Sequence, residues 1–347
     1  MKQYIGYMNR CIELAKQAQG NTSPNPLAGC VILNGQGKII AQGYHKCCGQ
    51  NHAERDALLK LSDAQGCVLV VNLEPCSHFG KTPPCVDLII EKGIKKVVYG
   101  MKDPNPVVCG HGLKKLQDAG IEVIGPVLED ECKKLNEVFI KNHTKKQVFA
   151  ALKTASTIDG KIAASGGDSK WITSESARAE VKNIRRIYDA ILTSSATILA
   201  DNPVMEHKIK IILDRELKTD LNADIYKQGR IYIFCSQDRK APQGNERIRF
   251  IRTPVKNSKL DIEFILGKLF ELGIMSVLIE AGGLLNGSFL PYVDKLYHFT
   301  APKILCDNTG KSCFDGNKAL SIADCTDFKF ENFALFPPDV LLTYIRI

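Results

Sequence analysis

Asn51-His52-Ala53-Glu54 and, twenty residues on, Leu73-Glu74-Pro75-Cys76-Ser77-His78-Phe79-Gly80-Lys81-Thr82-Pro83-Pro84-Cys85 are the stretches that decide the reading of this chain. His52, Cys76 and Cys85 offer one imidazole and two thiolates. Three such ligands hold Zn²⁺ and leave its fourth position open, as a catalytic site requires and a structural one does not. Glu54, two residues beyond the histidine, is spare as a ligand and is placed to carry protons for a water that the metal activates.

A histidine and glutamate spaced H-x-E, followed by P-C-x-x-C, is the arrangement of zinc deaminases, where the glutamate is the general acid/base. Here the second cysteine follows after eight intervening residues instead of two. The longer spacing resembles the deaminase half of the bifunctional riboflavin-biosynthesis deaminase/reductases, whose pattern L-E-P-C-S-H-x-G-x-T-P-P-C is matched from Leu73 to Cys85. The resemblance implies that Asn25 (in Pro-Asn-Pro), His45 (in Gly-Tyr-His), His78 and Lys81 contact substrate. A cation at Lys81 beside the metal also suits a phosphorylated substrate on charge grounds.

The rest of the composition is ordinary for a globular protein: 347 residues, 44% hydrophobic and 24% charged. That length suits about two domains. No apolar run is long enough to span a bilayer, and the first residues lack a signal-peptide core, so a cytoplasmic location is expected. The 13 cysteines are read as reduced thiols, with Cys30, Cys67 and Cys109 as small core residues. The formal charge of +8 is not concentrated in long basic runs. A phosphorylated small molecule is the expected partner, with no nucleic acid and no membrane, and a homo-oligomer is left open.

Along the chain, helical stripes and apolar strands alternate. Tyr4–Gln19, His52–Leu61, Cys85–Lys92, Gly112–Ala119 and Glu129–Phe139 read as helices. Leu27–Leu33, Lys38–Gly43, Cys67–Leu73, Lys96–Gly100 and Ile121–Ile124 read as strands. Alternation of this kind predicts an α/β layer fold with a largely parallel sheet. The polar, basic stretch Lys141–Gln147 is taken as the boundary, giving domains 1–145 and 146–347. Beyond it, Val148–Thr154, Asp189–Thr193, Ile209–Leu213, Arg230–Cys235 and Ser276–Glu280 read as strands, and Ser174–Arg186 and Ile262–Leu272 as helices. Residues 216–260 are otherwise the least readable.

The second half resembles the reductase domain of the same family, which has a dihydrofolate-reductase-like fold. The matching segments are Lys153–Ser156 with Asp159-Gly160, Ser169–Thr173, Ala177-Arg178, Asp189–Ile191, Ala196-Thr197, Asp201–Pro203 and Glu280–Gly283. The fold expected for the whole is a cytidine-deaminase-like three-layer domain followed by that α/β domain. The run Gly282-Gly283-Leu284-Leu285-Asn286-Gly287-Ser288 follows an apolar strand and is read as the seat of the cofactor pyrophosphate, its glycines letting backbone N–H groups approach. It is not the Rossmann fingerprint. The resemblance implies that Ala155, Trp171, Thr197 and Asp201 also touch NADPH, and that Ser169, Arg185 and Glu280 hold substrate. Lys153 is the candidate proton donor by position. Met205 and Lys208 stand where the family has a leucine and a phosphate-binding arginine. The activity implied is zinc-dependent deamination of 2,5-diamino-6-ribosylamino-pyrimidinone 5′-phosphate, then NADPH-dependent reduction of its ribosyl chain. Two rivals are a nucleic-acid deaminase with an appended RNA-binding half and a zinc-stabilised binding module. The 7% aromatic content speaks against the first, and Glu54 beside only three ligands against the second.

Overall fold

The computed structural model describes residues 1–79, 83–105, 108–316 and 319–347. Lys81 therefore lies outside the described residues. The chain divides into two units, Met1–Gln147 and Val148–Ile347.

The first unit is built on a five-stranded sheet of β1 (Gly29–Leu33), β2 (Ile39–Tyr44), β3 (Val68–Leu73), β4 (Lys96–Met101) and β5 (Glu122–Ile124), in the order β2-β1-β3-β4-β5. Only β3, β4 and β5 run parallel; β1 is antiparallel to both of its neighbours. The sheet is thus more mixed than the helix–strand alternation suggested, because the Asn34–Gly37 turn closes β1 and β2 into a hairpin. Successive side chains of a strand point to opposite faces. Cys30, Ile32, Leu69 and Val71 accordingly join one core, with Ala57 and Leu58 of α2 (Ala53–Leu58), Ile89 of α3 (Cys85–Glu91) and Leu116 of α4 (His111–Asp118). Val31, Leu33 and Val70 join the other, with Met8, Cys11 and Ile12 of α1 (Ile5–Lys16) and Cys132 of α5 (Glu129–Leu135). Helices on both faces make three layers.

Helix α6 (Glu137–Lys145) continues through most of the stretch taken from its polarity as a boundary. Its lysines form a solvated helix face, and the break falls just beyond, after Gln147. The 129–139 segment is two helices, separated at Asn136, not one. Cys30 and Cys67 are buried as expected, but Cys109 is exposed on a turn ahead of α4.

The second unit holds a nine-stranded sheet. Its strands are β6 (Phe149–Thr157), β8 (Ala190–Ser194), β9 (Ile209–Leu213), β10 (Arg230–Ser236), β11 (Ile248–Thr253), β14 (Ser276–Ile279), β15 (Lys295–Ala301), β17 (Phe328–Phe336) and β18 (Asp339–Arg346). The order is β11-β10-β9-β8-β14-β6-β15-β18-β17. It is parallel from β11 to β15, and β18 and β17 close it as an antiparallel edge. Two short ribbons pair β7 (Lys161–Ala163) with β16 (Lys311–Ser312) and β12 (Val255–Lys256) with β13 (Lys259–Leu260). Helices α7 (Glu175–Ile187), α8 (Ser195–Asp201), α9 (Ile262–Glu271) and α10 (Gly283–Phe289) complete the unit. Leu192, Ile211 and Leu213 pack on one face with Ile265 and Leu269 of α9. Ile191 and Ile212 pack on the other, with Ile198 of α8. Ser174 caps α7 by accepting from the Ala177 N–H at 3.3 Å, without a glutamate partner to complete a capping box.

Candidate metal centre and reductase site

Three chain segments bring the metal ligands together. His52 is the N-cap residue of α2, Cys76 follows the end of β3, and Cys85 opens α3. Gly43 of β2 lets α2 lie directly on the sheet: a Cβ there would stand 2.5 Å from the Ala57 nitrogen and 2.6 Å from the Ala53 oxygen. The Cys76 and Cys85 sulfurs lie 3.4 and 3.6 Å from the His52 Nδ1, and the three donor atoms fall within 4.8 Å of one another. An imidazole and two thiols converging on one point at this spacing fit zinc. The Cys85 backbone N–H at the start of α3 donates to the Cys76 sulfur at 3.3 Å. The hydrogen bond from the Cys85 thiol is the main cause and, with His52 and that backbone N–H adding to it against burial, pulls the Cys76 thiol down to about 4. Cys85, bonded to that thiolate and buried, stays protonated in the absence of a metal. The hydrogen bond to Cys76 raises His52.

Glu54 is 4% exposed. Burial pushes its carboxyl up to about 7, and the adjacent Cys76 thiolate pushes the same way. A carboxyl poised near neutrality is suited to both taking and giving a proton.

His45 is buried, which lowers its pKa, so the ring is neutral. Its Nδ1–H donates to the Asn51 oxygen at 3.0 Å, leaving Nε2 to accept from the Asn25 Nδ2 at 3.1 Å. The His45 ring meets the His52 ring edge-on at 5.4 Å. Asn25 and His45 thus stand beside the metal ligands. Asn136 holds their loop through both the N–H and the C=O of Leu27. His78 is exposed.

Sequence reading passed over Glu74. It is buried, and its carboxylate accepts from the N–H groups of Asp103, Gly110 and Gly112 at 3.0–3.2 Å. It therefore ties the loop after β4 to the cysteine loop. The spacing of the motif gave no sign of this, because the partners lie 29, 36 and 38 residues away.

In the second unit Glu280, just past β14, is 7% exposed. It receives two hydrogen bonds from Arg185 of α7, at 2.6 and 3.0 Å, and faces the Lys153 ammonium of β6 at 3.7 Å. Burial works against its charge, but Arg185 and Lys153 outweigh that and hold it below the usual carboxylate range. Burial lowers Lys153 in turn. These three predicted residues form one cluster. A cleft of about 230 Å³ adjoins it, lined by Lys182, Arg185, Arg186, Val204, Met205 and Glu206. Arg185 and Arg186 lie at i+3 and i+4 from Lys182 on α7, a signal available in the sequence and not used. Lys208 is not in that lining; it is exposed, and its carbonyl accepts from the Arg230 N–H. It stands one residue before β9.

Trp171 is 62% exposed, with the Arg178 guanidinium 4.4 Å from its ring centre. Ala155 and Ser169 are half-buried. Thr197, in the first turn of α8, bonds the N-cap Ser194 through its N–H. Asp201 ends α8 and is exposed. The glycine run has a packing role besides the one expected of it. A Cβ on Gly283 would meet the Ser312 oxygen at 2.3 Å, and one on Gly287 the Asp315 oxygen at 2.0 Å. Asn286 is buried and donates to the Cys313 oxygen at 2.9 Å. These three residues seat α10 on the 312–315 segment. Gly282 alone is open on its Cβ side, while Leu284 is exposed and Ser288 bonds the Leu284 oxygen and the Lys259 ammonium. Leu285 is half-buried. Gly287→Ala is therefore expected to destabilise the second unit by about 1–3 kcal/mol, the usual cost of overpacking. Thermal unfolding measures it, and an unchanged midpoint contradicts the packing.

Residues 1–101 match the family model for the cytidine and deoxycytidylate deaminase zinc-binding region, and residues 148–342 the one for the RibD C-terminal domain. The chain is 40% identical to riboflavin biosynthesis protein RibD of Actinobacillus pleuropneumoniae, covering 99% of this chain and 95% of that protein. The chain belongs to the RibD family. RibD of Escherichia coli (strain K12) is 36% identical, with 97% of each chain covered. A deaminase/reductase of Thermotoga maritima, whose crystal structure is known, is 40% identical and superposes with a TM-score of 0.89, covering 99% of each chain. Acinetobacter baumannii RibD, at 32% identity, gives 0.88. The chain is a bifunctional α/β enzyme of riboflavin biosynthesis, in which a cytidine-deaminase-like domain precedes a dihydrofolate-reductase-like one. Its cofactors are zinc and NADPH. Both rivals fall, since the second half is a reductase domain and the metal region is that of a deaminase.

Proposed function

We propose that the unit Met1–Gln147 deaminates 2,5-diamino-6-ribosylamino-4(3H)-pyrimidinone 5′-phosphate and that Val148–Ile347 reduces the ribosyl chain of the product. The observation that carries this is the convergence of His52, Cys76 and Cys85 within 4.8 Å, with Glu54 buried beside them. Zinc held there supplies a Lewis acid that makes water nucleophilic at neutral pH. Glu54 takes the water's proton as the new C–O bond forms at the amino-bearing ring carbon. It returns a proton to the amino nitrogen, which leaves as ammonia. Asn25 and the neutral His45 orient the ring.

In the second unit NADPH supplies a hydride. Bound there, it would deliver that hydride to C1 of the ring-opened ribosyl group, which becomes ribityl. Gly282 and the exposed groups around Trp171, Thr197 and Asp201 receive the cofactor. Arg185, held by Glu280, presents its guanidinium to the substrate, and Lys182 and Arg186 are better placed than Lys208 for the phosphate, since they line the cleft. Lys153, half-buried beside Glu280, is the proton donor, to the nitrogen on C1 as the C1–N double bond becomes single. The enzyme acts on small molecules rather than nucleic acid, in the cytoplasm. The thirteen free cysteines accord with a reducing compartment. Among the described residues no helix is long and apolar enough to cross a membrane.

Zinc content tests the first site. Cys85→Ala is expected to lose the metal and to lower the stability of the first unit, because a metal bound only by the folded state stabilises it. Full zinc occupancy in that variant contradicts the ligand set.

A further inference from the structure

Lys210 of β9 is among the largest fully withdrawn side chains of the protein, at 2% exposure. Its neighbours on the strand, Ile211 and Ile212, are core residues. Its ammonium donates to two backbone oxygens, that of Val204 at 3.0 Å and that of Ile225 at 2.7 Å. A buried ammonium satisfied by carbonyls alone is costly, and a well-packed apolar side chain of the same size is often neutral or stabilising in its place. Stability therefore does not account for a lysine here. What it adds is two directed, charge-assisted hydrogen bonds.

Those bonds act on the loop between α8 and β9. Its start is fixed by Asn202, whose side chain exchanges hydrogen bonds with Asp224. Its end is fixed by His207: with Nδ1 accepting from the Ile209 N–H, Nε2 donates to the Tyr188 oxygen at the end of α7. Between these pins stands Met205, with a φ of 43°, a left-handed conformation costly for a side chain of this kind unless the surroundings impose it. Met205 and its neighbours Val204 and Glu206 form the wall of the 230 Å³ cleft that also contains Arg185.

We infer that Lys210 is a positioning residue of the reductase: by holding the Val204 carbonyl it fixes Val204–Glu206 as the cleft wall facing Arg185. This rests on the reading of that cleft as the substrate's. Without the ammonium the loop is in its binding-competent position only part of the time, and apparent affinity falls by that fraction.

The test is Lys210→Met in the full-length enzyme, with Met205→Ala alongside, assayed by initial rates of NADPH oxidation with the deaminated ribosylamino-uracil phosphate. Lys210→Met is expected to raise KM for the sugar phosphate about tenfold, the scale of losing a charged hydrogen bond. The kcat stays within about threefold, KM for NADPH is unchanged, and the unfolding midpoint is equal or higher. An unchanged sugar-phosphate KM overturns the inference. So does a fall in kcat with a rise in KM for NADPH and a lower midpoint, which marks a general loss of structure. If Met205→Ala raises the sugar-phosphate KM and Lys210→Met does not, the inference fails and the cleft stands. If neither variant moves it, the reading of the cleft fails, and the inference with it.

Discussion

Glu54→Gln lowers the deaminase kcat by about 10²–10⁴-fold, the range for losing a positioned general acid/base, while zinc stays bound and the reductase runs at its normal rate. Glutamine matches the shape of the buried side chain but cannot exchange protons. The three ligands are held by main-chain features the substitution leaves alone: His52 by the start of α2, on which Glu54 also sits, Cys76 by the segment after β3, Cys85 by the start of α3. Glutamine keeps the length of the side chain beside Cys85, which Glu54 touches through a hydrogen bond, so the ligands are expected to stay in place. The loss should appear in kcat rather than in substrate KM, because a proton carrier acts in the transition state. Metal analysis and both assays on one preparation check this. Loss of zinc together with loss of deamination would make Glu54 a ligand or a structural group instead.

Glu280→Ala is expected to destabilise the second unit by about 3–5 kcal/mol, the cost of breaking a buried ion pair from one side, and to abolish reduction. Arg185 and Lys153 would remain together at side-chain exposures of 20% and 17% with their shared carboxylate gone. For a unit of this size the midpoint should fall on the order of 10 °C. The sign of the pH dependence follows from the same cluster. Glu280 titrates below its ordinary 4.5 in the folded state, so folding favours its ionised form. That stability is fully present above pH 4.5 and is lost as pH falls through the depressed folded value. The stability gap between wild type and Glu280→Gln should therefore be widest near neutrality and close on acidification below the usual carboxylate range. Unfolding measured at a series of pH values checks it; a gap that is constant or grows in acid contradicts the ion-pair account.

The metal centre was legible because its ligands sit at two helix starts and one strand end, all within about thirty-five residues, in a pattern with few other meanings. The layer architecture was legible too, from alternating apolar strands and amphipathic helices. What was not legible depended on partners distant in sequence. Gly283 and Gly287 read as phosphate-binding glycines, and nothing in their spacing shows that their absent Cβ atoms also make room for Ser312 and Asp315. Lys210 reads as an ordinary strand lysine, and only the fold shows the two carbonyls it serves. Lys208 stands at a family position in register, and only the fold shows that the cleft beside Arg185 is lined by Lys182 and Arg186 and not by it. No element was read after Ser288. The edge strand β17 is bulged near Phe330 and largely exposed, with Phe330, Phe333 and Leu335 facing solvent, so it lacks the buried alternation by which a strand is recognised.

The central claim is that one chain performs both reactions. Its most direct test is mass spectrometry of the diaminopyrimidinone ribosyl phosphate after incubation with the zinc-loaded enzyme, with and without NADPH. Without NADPH the product should have exchanged one amino group for an oxygen and gained nothing else. With NADPH the same product should carry two additional hydrogens on the sugar chain. Unchanged substrate in the absence of NADPH, or a deaminated product that never gains hydrogen in its presence, contradicts the account.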